Sequence, residues 1–271
     1  MRTWMCVACL LAGAAGLGAQ APGGAGRGRQ GGAPVTAQAL APIDLTGQWV
    51  SVITEDWRWR MVTPPKGDYG SVPLNAEGRR VADTWDLSKD DAAGEQCRAF
   101  GAAGVMRLPL RVRVAWQDDN TLKVETDAGQ QIRLFRFAAA VPGAPTATAS
   151  PTGQERSWQG ASLAEWNKTS ISRGLGFGGT RGVAGGNLKV TTTQLRSGYL
   201  RKNGVPYSEN AVVTEYYNRH DEPNGDSWFT VTTIVDDPRY LAQPFITSSS
   251  FKKEADLSKW SPTPCRVEPP R

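Results

Sequence analysis

The sequence predicts an all-β fold: a single antiparallel barrel of roughly eight to ten strands with one or two short helices. Three observations predict it. The first is a run of three strands legible from the letters, Asn187–Leu195, Ala211–Arg219 and Ser227–Val235, all dense in the β-branched and aromatic residues that suit a pleated, half-buried surface. The second is the turn chemistry between them. Asn224-Gly225 takes positive φ at little cost and closes the last hairpin, and Asp236-Asp237-Pro238 stops the third strand because proline supplies no ladder N–H. The third is that short connections join nearly all the strands, which favours an up-and-down barrel.

Taken in order, the 271-residue chain opens with a predicted leader over residues 1–20. Met1-Arg2 is its positive start, Met5 to Leu17 its apolar run, and Gly18, Ala19 and Ala21 suit a signal peptidase. The Cys6-x-x-Cys9 pair lies inside that leader. Residues 21–43, rich in Gly, Ala, Pro and Arg, read as a disordered tether, which leaves 44–271 as one domain. Export places the chain in a secreted or periplasmic setting, with no membrane span once the leader is gone. There the two remaining cysteines, Cys97 and Cys265, are expected to be bridged, pinning the C-terminal tail to the body.

Asp44–Thr54 reads as the first strand, with Trp49 turned inward, and Asp56-Trp57-Arg58-Trp59-Arg60 continues the two-residue alternation. Leu74–Trp85 is the best helix: Asn75 can cap the free amides, Glu77 sits in the positive first turn, and Val81 and Trp85 share a face. A second helical piece is placed over Asp90–Arg98. Leu108–Trp116, Thr121–Thr126 and Gln131–Phe137 form a meander, Ser157–Trp166 a further strand, and Tyr240–Lys252 the last. Residues 138–155 and 173–186 are long loops.

The Gly47-x-Trp49 strand, opening an all-β chain with one expected bridge, resembles the start of lipocalins and other calycin barrels. That resemblance implies a barrel around a mostly apolar pocket. From Leu74 to Phe251 the chain also resembles a group of uncharacterised secreted proteins of environmental bacteria. The shared features are Pro73-Leu-Asn-Ala-Glu-Gly78, Cys97, Met106-Arg107-Leu-Pro109, Trp158-Gln-Gly160, Glu215-Tyr-Tyr-Asn-Arg219 and Val235-Asp-Asp-Pro238. This second likeness implies fold and secretion and no catalytic residues.

A formal charge of +5, spread evenly, gives no basic face for a nucleic acid. Gly174-x-Gly176-x-x-Gly179 matches a dinucleotide fingerprint, but no helix follows it, so no cofactor is expected. His220 is the only histidine, and no metal site is expected; Asp221, Glu222, Asn224 and Asp226 are the one cluster worth testing for calcium. Glu215, Tyr217 and Arg219 share a face of one strand. Strand charges usually face solvent, which makes these an ordinary surface ladder; turned inward, they become polar anchors or acid–base groups. Ten tryptophans are many for this length, and Trp57, Trp59, Trp158, Trp166 and Trp228 are candidates to line a site.

The leading expectation is a barrel that binds a small, largely apolar or aromatic molecule in its lumen, with Arg107, Glu215, Tyr217 and Arg219 as polar anchors. The alternative is a cofactor-independent isomerase, lyase or hydrolase, with Glu215, Tyr217 and Arg219 as catalytic candidates. A third reading is an envelope interaction protein with a filled barrel. The balance leans away from catalysis.

Overall fold

Nine strands close into one barrel, and a tenth and eleventh form a small ribbon outside it. The computed structural model describes residues 35–138, 155–171 and 182–271. The predicted leader, most of the 138–155 loop and the Gly174–Gly179 fingerprint lie outside the described residues.

The strands are β1 (Gly47–Val52), β2 (Arg111–Asp118), β3 (Thr121–Thr126), β4 (Ile132–Phe137), β5 (Ala161–Ile171), β6 (Gly182–Thr193), β7 (Gly198–Arg201), β8 (Val205–Tyr207), β9 (Val212–Asp221), β10 (Ser227–Asp236) and β11 (Phe245–Glu254). Around the wall the order is β1-β11-β10-β9-β6-β5-β4-β3-β2, and β2 pairs with β1 to close it. Every pairing in the wall is antiparallel except β4 with β5. Parity requires that exception. Antiparallel neighbours alternate in direction, so a ring with an odd number of strands cannot alternate all the way round. The antiparallel barrel of eight to ten strands expected from the sequence is thus found, with one parallel seam that the short-turn argument did not foresee.

The helices are short. Within α2 (Ala76–Ala82), the Asn75 side chain accepts from the Gly78 amide, as the capping argument predicts. The expected Asp90–Arg98 helix is split into α3 (Leu87–Ala92), capped by Asp86, and a tight 3₁₀ turn over Gln96–Phe100. A second 3₁₀ turn, Val105–Arg107, comes before β2, so that strand begins at Arg111 instead of Leu108.

Three further expectations need correcting. Asp56–Arg60 is not strand: Asp56 takes φ 53°, its carbonyl accepts from the Trp59 and Arg60 amides, and α1 (Trp57–Arg60) results. Ser157–Gly160 is a turn, with Gly160 at φ 61°, so β5 starts at Ala161. The last strand starts at Phe245 because the Asp237 carboxylate ties the preceding turn to the Ser208 amide and hydroxyl and to the Arg239 amide. The ribbon β7–β8 is not foreseen in the sequence. Its strands are only 4 and 3 residues long.

Cys97 and Cys265 are bridged, with Cα atoms 5.1 Å apart. The tail beyond β11 runs beside the β3–β4 turn, where Thr263 exchanges backbone hydrogen bonds with Asp127 and Gly129. Among the described residues no helix is long and apolar enough to cross a membrane.

Candidate functional site

Alternation along each strand decides what the lumen contains. The inward face carries Trp49, Val112, Val114, Leu122, Val124, Phe135, Leu188, Val190, Phe229, Val231 and Phe251, all buried in one contiguous cluster. Phe229 stacks on Phe251 at 4.6 Å and meets Trp49 edge-on at 4.9 Å. Packed apolar side chains occupy the middle of the barrel.

Within this packing lies one polar cluster. Arg133 of β4 and Glu215 of β9 are both fully buried, and the guanidinium grips the carboxylate with two bonds, Nη1 to Oε1 at 2.9 Å and Nη2 to Oε2 at 2.5 Å. The Tyr217 hydroxyl donates to Glu215 Oε1 at 3.1 Å. Thr192 Oγ1 accepts from Arg133 at 3.3 Å and shares a hydrogen bond with Ser162 Oγ at 2.8 Å. The cluster thereby spans four neighbouring strands, β4, β5, β6 and β9. Burial opposes the Arg133 charge, but Glu215 and Tyr217 outweigh it and hold the guanidinium firmly protonated. Burial, reinforced by the adjacent Glu215 charge, pushes the Tyr217 phenol well up. The outward ladder expected for Glu215 and Tyr217 is therefore corrected: both point into the lumen.

One end of the barrel is plugged by the segment from α1 to the Val105–Arg107 turn. Arg60 is buried there, donating to the Arg107 carbonyl at 2.8 Å and to Ser249 at 3.2 Å. Arg107 bonds Asp56 at 2.9 Å and lies 5.4 Å from the Phe245 ring. The guanidiniums of Arg58 and Arg201 lie 5.0 and 4.8 Å from the Trp59 ring centroid, while Trp57 is 66% exposed.

At the opposite end the inward rungs finish on aromatics. Trp116, Phe137 and Trp166 form a stack, Phe137 lying 5.2 Å from Trp166 and 5.7 Å from Trp116. Residues 35–46 cross this mouth as a strap. The Ala37 amide donates to Asn120, the Ala37 carbonyl accepts from the Trp166 indole at 2.9 Å, and the Asp44 carbonyl accepts from Arg219 at 2.9 Å. Burial would raise the Asp44 carboxyl, yet hydrogen bonds from Thr46, helped by Lys253 and Arg219, hold it below the usual carboxylate range. Between strap and wall lies a cleft of about 430 Å³, lined by Gln38, Ala41, Pro42, Ile43, Asp44, Thr46 and Trp116.

The candidates read from the sequence do not converge. Glu215 and Tyr217 sit mid-lumen, Trp166 and Arg219 at the mouth, and Trp57, Trp59 and Arg107 at the plugged end. Trp158 lies in the turn before β5, donating to the Ser197 carbonyl under the Arg196 guanidinium. Trp228 is on the outer wall beneath Lys252. Asp221 and Asp226, weighed for calcium, pair with Arg219 and Lys252, and among the described residues no cluster of three His, Cys, Asp or Glu side chains could hold a metal. The sequence reading missed Arg133, Thr192, Ser162 and Trp116. For Arg133 a signal was present: it shares a strand face with Phe135 and Phe137. No family model matches the chain, no curated protein matches it, and no solved structure matches it.

Proposed function

We propose that this is an exported, secreted or periplasmic barrel that binds a small, largely apolar or aromatic molecule, and that the ligand seats at the strapped mouth rather than deep in the lumen. One observation carries the reading: the cleft of about 430 Å³ with Trp116 on its wall, backed by Phe137 and Trp166. Its volume falls within the range of small-molecule sites, and the Trp116 indole, held from behind by Phe137, gives it an aromatic wall. Arg219, beside the same strap, is the polar anchor. The closed wall and the Gly47-x-Trp49 opening support the calycin resemblance, and the Cys97–Cys265 bridge supports an oxidising compartment.

Titration of intrinsic tryptophan fluorescence with a panel of aromatic and aliphatic metabolites tests this. We expect saturable quenching by at least one of them and at least a tenfold weaker Kd in Trp116→Leu. No quenching by any compound would sink the reading and leave the filled barrel as an interaction protein. Catalysis is favoured by one specific observation, the desolvated Glu215 carboxylate beside the Tyr217 hydroxyl. Against it, that carboxylate already receives two bonds from Arg133, which commits it to structure.

A further inference from the structure

The plugged end of the barrel holds an imbalance of charge that its own residues do not resolve. Four arginines meet there: Arg58 and Arg60 from α1, Arg107 from the 3₁₀ turn, and Arg201 from β7. Three carboxylates face them, and each is already taken: Asp68 by Arg58, Glu55 by Arg60, and Asp56 by Arg107. Among the described residues no carboxylate lies within ion-pair distance of Arg201, although the side chain is only 3% exposed. Its Nη2 donates to Ser71 Oγ at 2.9 Å, while Nε and Nη1 are shielded from solvent and have no hydrogen-bond partner among the described residues. A buried guanidinium in that condition is costly, because no paired counter-charge replaces its lost hydration and Asp56 and Asp68 act on it only from beyond ion-pair distance.

The surroundings show how the cost is held. The Trp59 indole lies over Arg201, with its ring centroid 4.8 Å from the guanidinium carbon, and is itself fastened by one hydrogen bond to Asp68 Oδ1 at 3.0 Å. Two non-glycine residues in the left-handed region flank the segment, Asp56 at φ 53° and Ser71 at φ 63°. Each holds one of the arginines: Asp56 takes Arg107 and Ser71 takes Arg201. Such strained positions persist only where neighbours fix them, and they concentrate at ligand clamps. Burial, with Arg107 adding repulsion, brings the Arg201 guanidinium down to about 10, still charged at neutral pH.

We propose that Arg201 is the seat of a small oxyanion, a carboxylate, phosphate or sulfate group, admitted when the Trp59 indole swings aside. The anion supplies the missing counter-charge and accepts from the free N–H groups of a planar fork built for such geometry. Trp59 is the gate, since its movement breaks one hydrogen bond and two cation–ring contacts. This seat is at the end of the barrel away from the strapped mouth and does not depend on the reading given for that mouth.

Calorimetry and thermal melts of the full chain in sodium phosphate, sodium sulfate and sodium acetate, each against sodium chloride of equal ionic strength, test it. The expected result is one-site binding of at least one of these anions, with a melting temperature that climbs with its concentration. Arg201→Met should weaken that binding at least tenfold, and Trp59→Ala should speed or tighten it. Which anion binds best separates a carboxylate ligand from a phosphate or sulfate one. Oxyanions indistinguishable from chloride, or binding unchanged in Arg201→Met, would overturn the proposal. Should Arg201→Met not fold, Trp59→Ala decides: unaltered affinity and rate in that variant also overturn it.

Discussion

Arg133 and Glu215 show how one pair of side chains can decide what a lumen is for. Two ions taken out of water gain little net stability even when their geometry is good, but stripping one partner leaves the other stranded. Arg133→Ala or Glu215→Ala should therefore cost about 3–5 kcal/mol in urea unfolding. Arg133→Met combined with Glu215→Leu should lie within about 1–2 kcal/mol of the parent, since the apolar pair fills similar volume. Equal losses in single and double variants would show that packing, not charge, governs the position. Sequence alone placed Glu215 and Tyr217 on one strand face but could not orient that face. A charged residue predicts solvent, and only the matching Arg133, 82 positions away, makes the inward choice affordable. At the start of β4 the pattern is locally reversed, with Ile132 exposed and Arg133 buried, and only the face shared with Phe135 and Phe137 marks Arg133 as inward.

At the scale of elements, legibility followed length. The strands β9 and β10, the part of β6 from Asn187 onward and the capped helix α2 were recognisable because each carries many concordant residues, whereas residues 182–186, glycine-rich and expected as loop, are the start of β6. Four-residue α1 and the β7–β8 ribbon were not, because tertiary contacts rather than local propensity hold them: Trp57-Arg-Trp-Arg60 alternates like a strand and coils only because its arginines are gripped from other elements. Helix α2 shows the converse limit. Its Gly78 looks like a weak helix residue, but a Cβ there would sit 2.3 Å from the Tyr240 carbonyl oxygen and 2.9 Å from Leu74 Cδ2. Gly78→Ala should therefore destabilise by about 1–3 kcal/mol, overcrowding outweighing the gain in helix propensity. A melting temperature at or above the parent's would refute that contact.

For the molecule as a whole, the staple matters more than its size suggests. The Cys97–Cys265 bridge joins positions 168 apart, and in the chain-entropy model closing such a loop contributes up to about 5 kcal/mol. Paired Cys97→Ser and Cys265→Ser replacement should lower the urea midpoint accordingly, and denaturation with and without reductant reads the same difference in the parent. An unshifted midpoint would mean that the Thr263 contacts with the β3–β4 turn hold the tail unaided.

The parallel contact between β4 and β5 extends over three residue pairs, Phe135 with Ser162 to Phe137 with Ala164, fewer than any other junction in the ring. Parallel pairing is also slightly weaker per residue. Hoop strength is set by the weakest stave, so transient parting of the cylinder should begin there, and the amide of Arg136, which by alternation points away from the β3 side where the Phe137 amide donates to the Asn120 carbonyl, should exchange with deuterium sooner than those of Val231 to Thr233. Slower or equal exchange would contradict it. Arg133, reaching past β5 to Thr192 and Glu215, then acts as a tie-rod across the joint, and cutting it should hasten exchange at this junction before anywhere else.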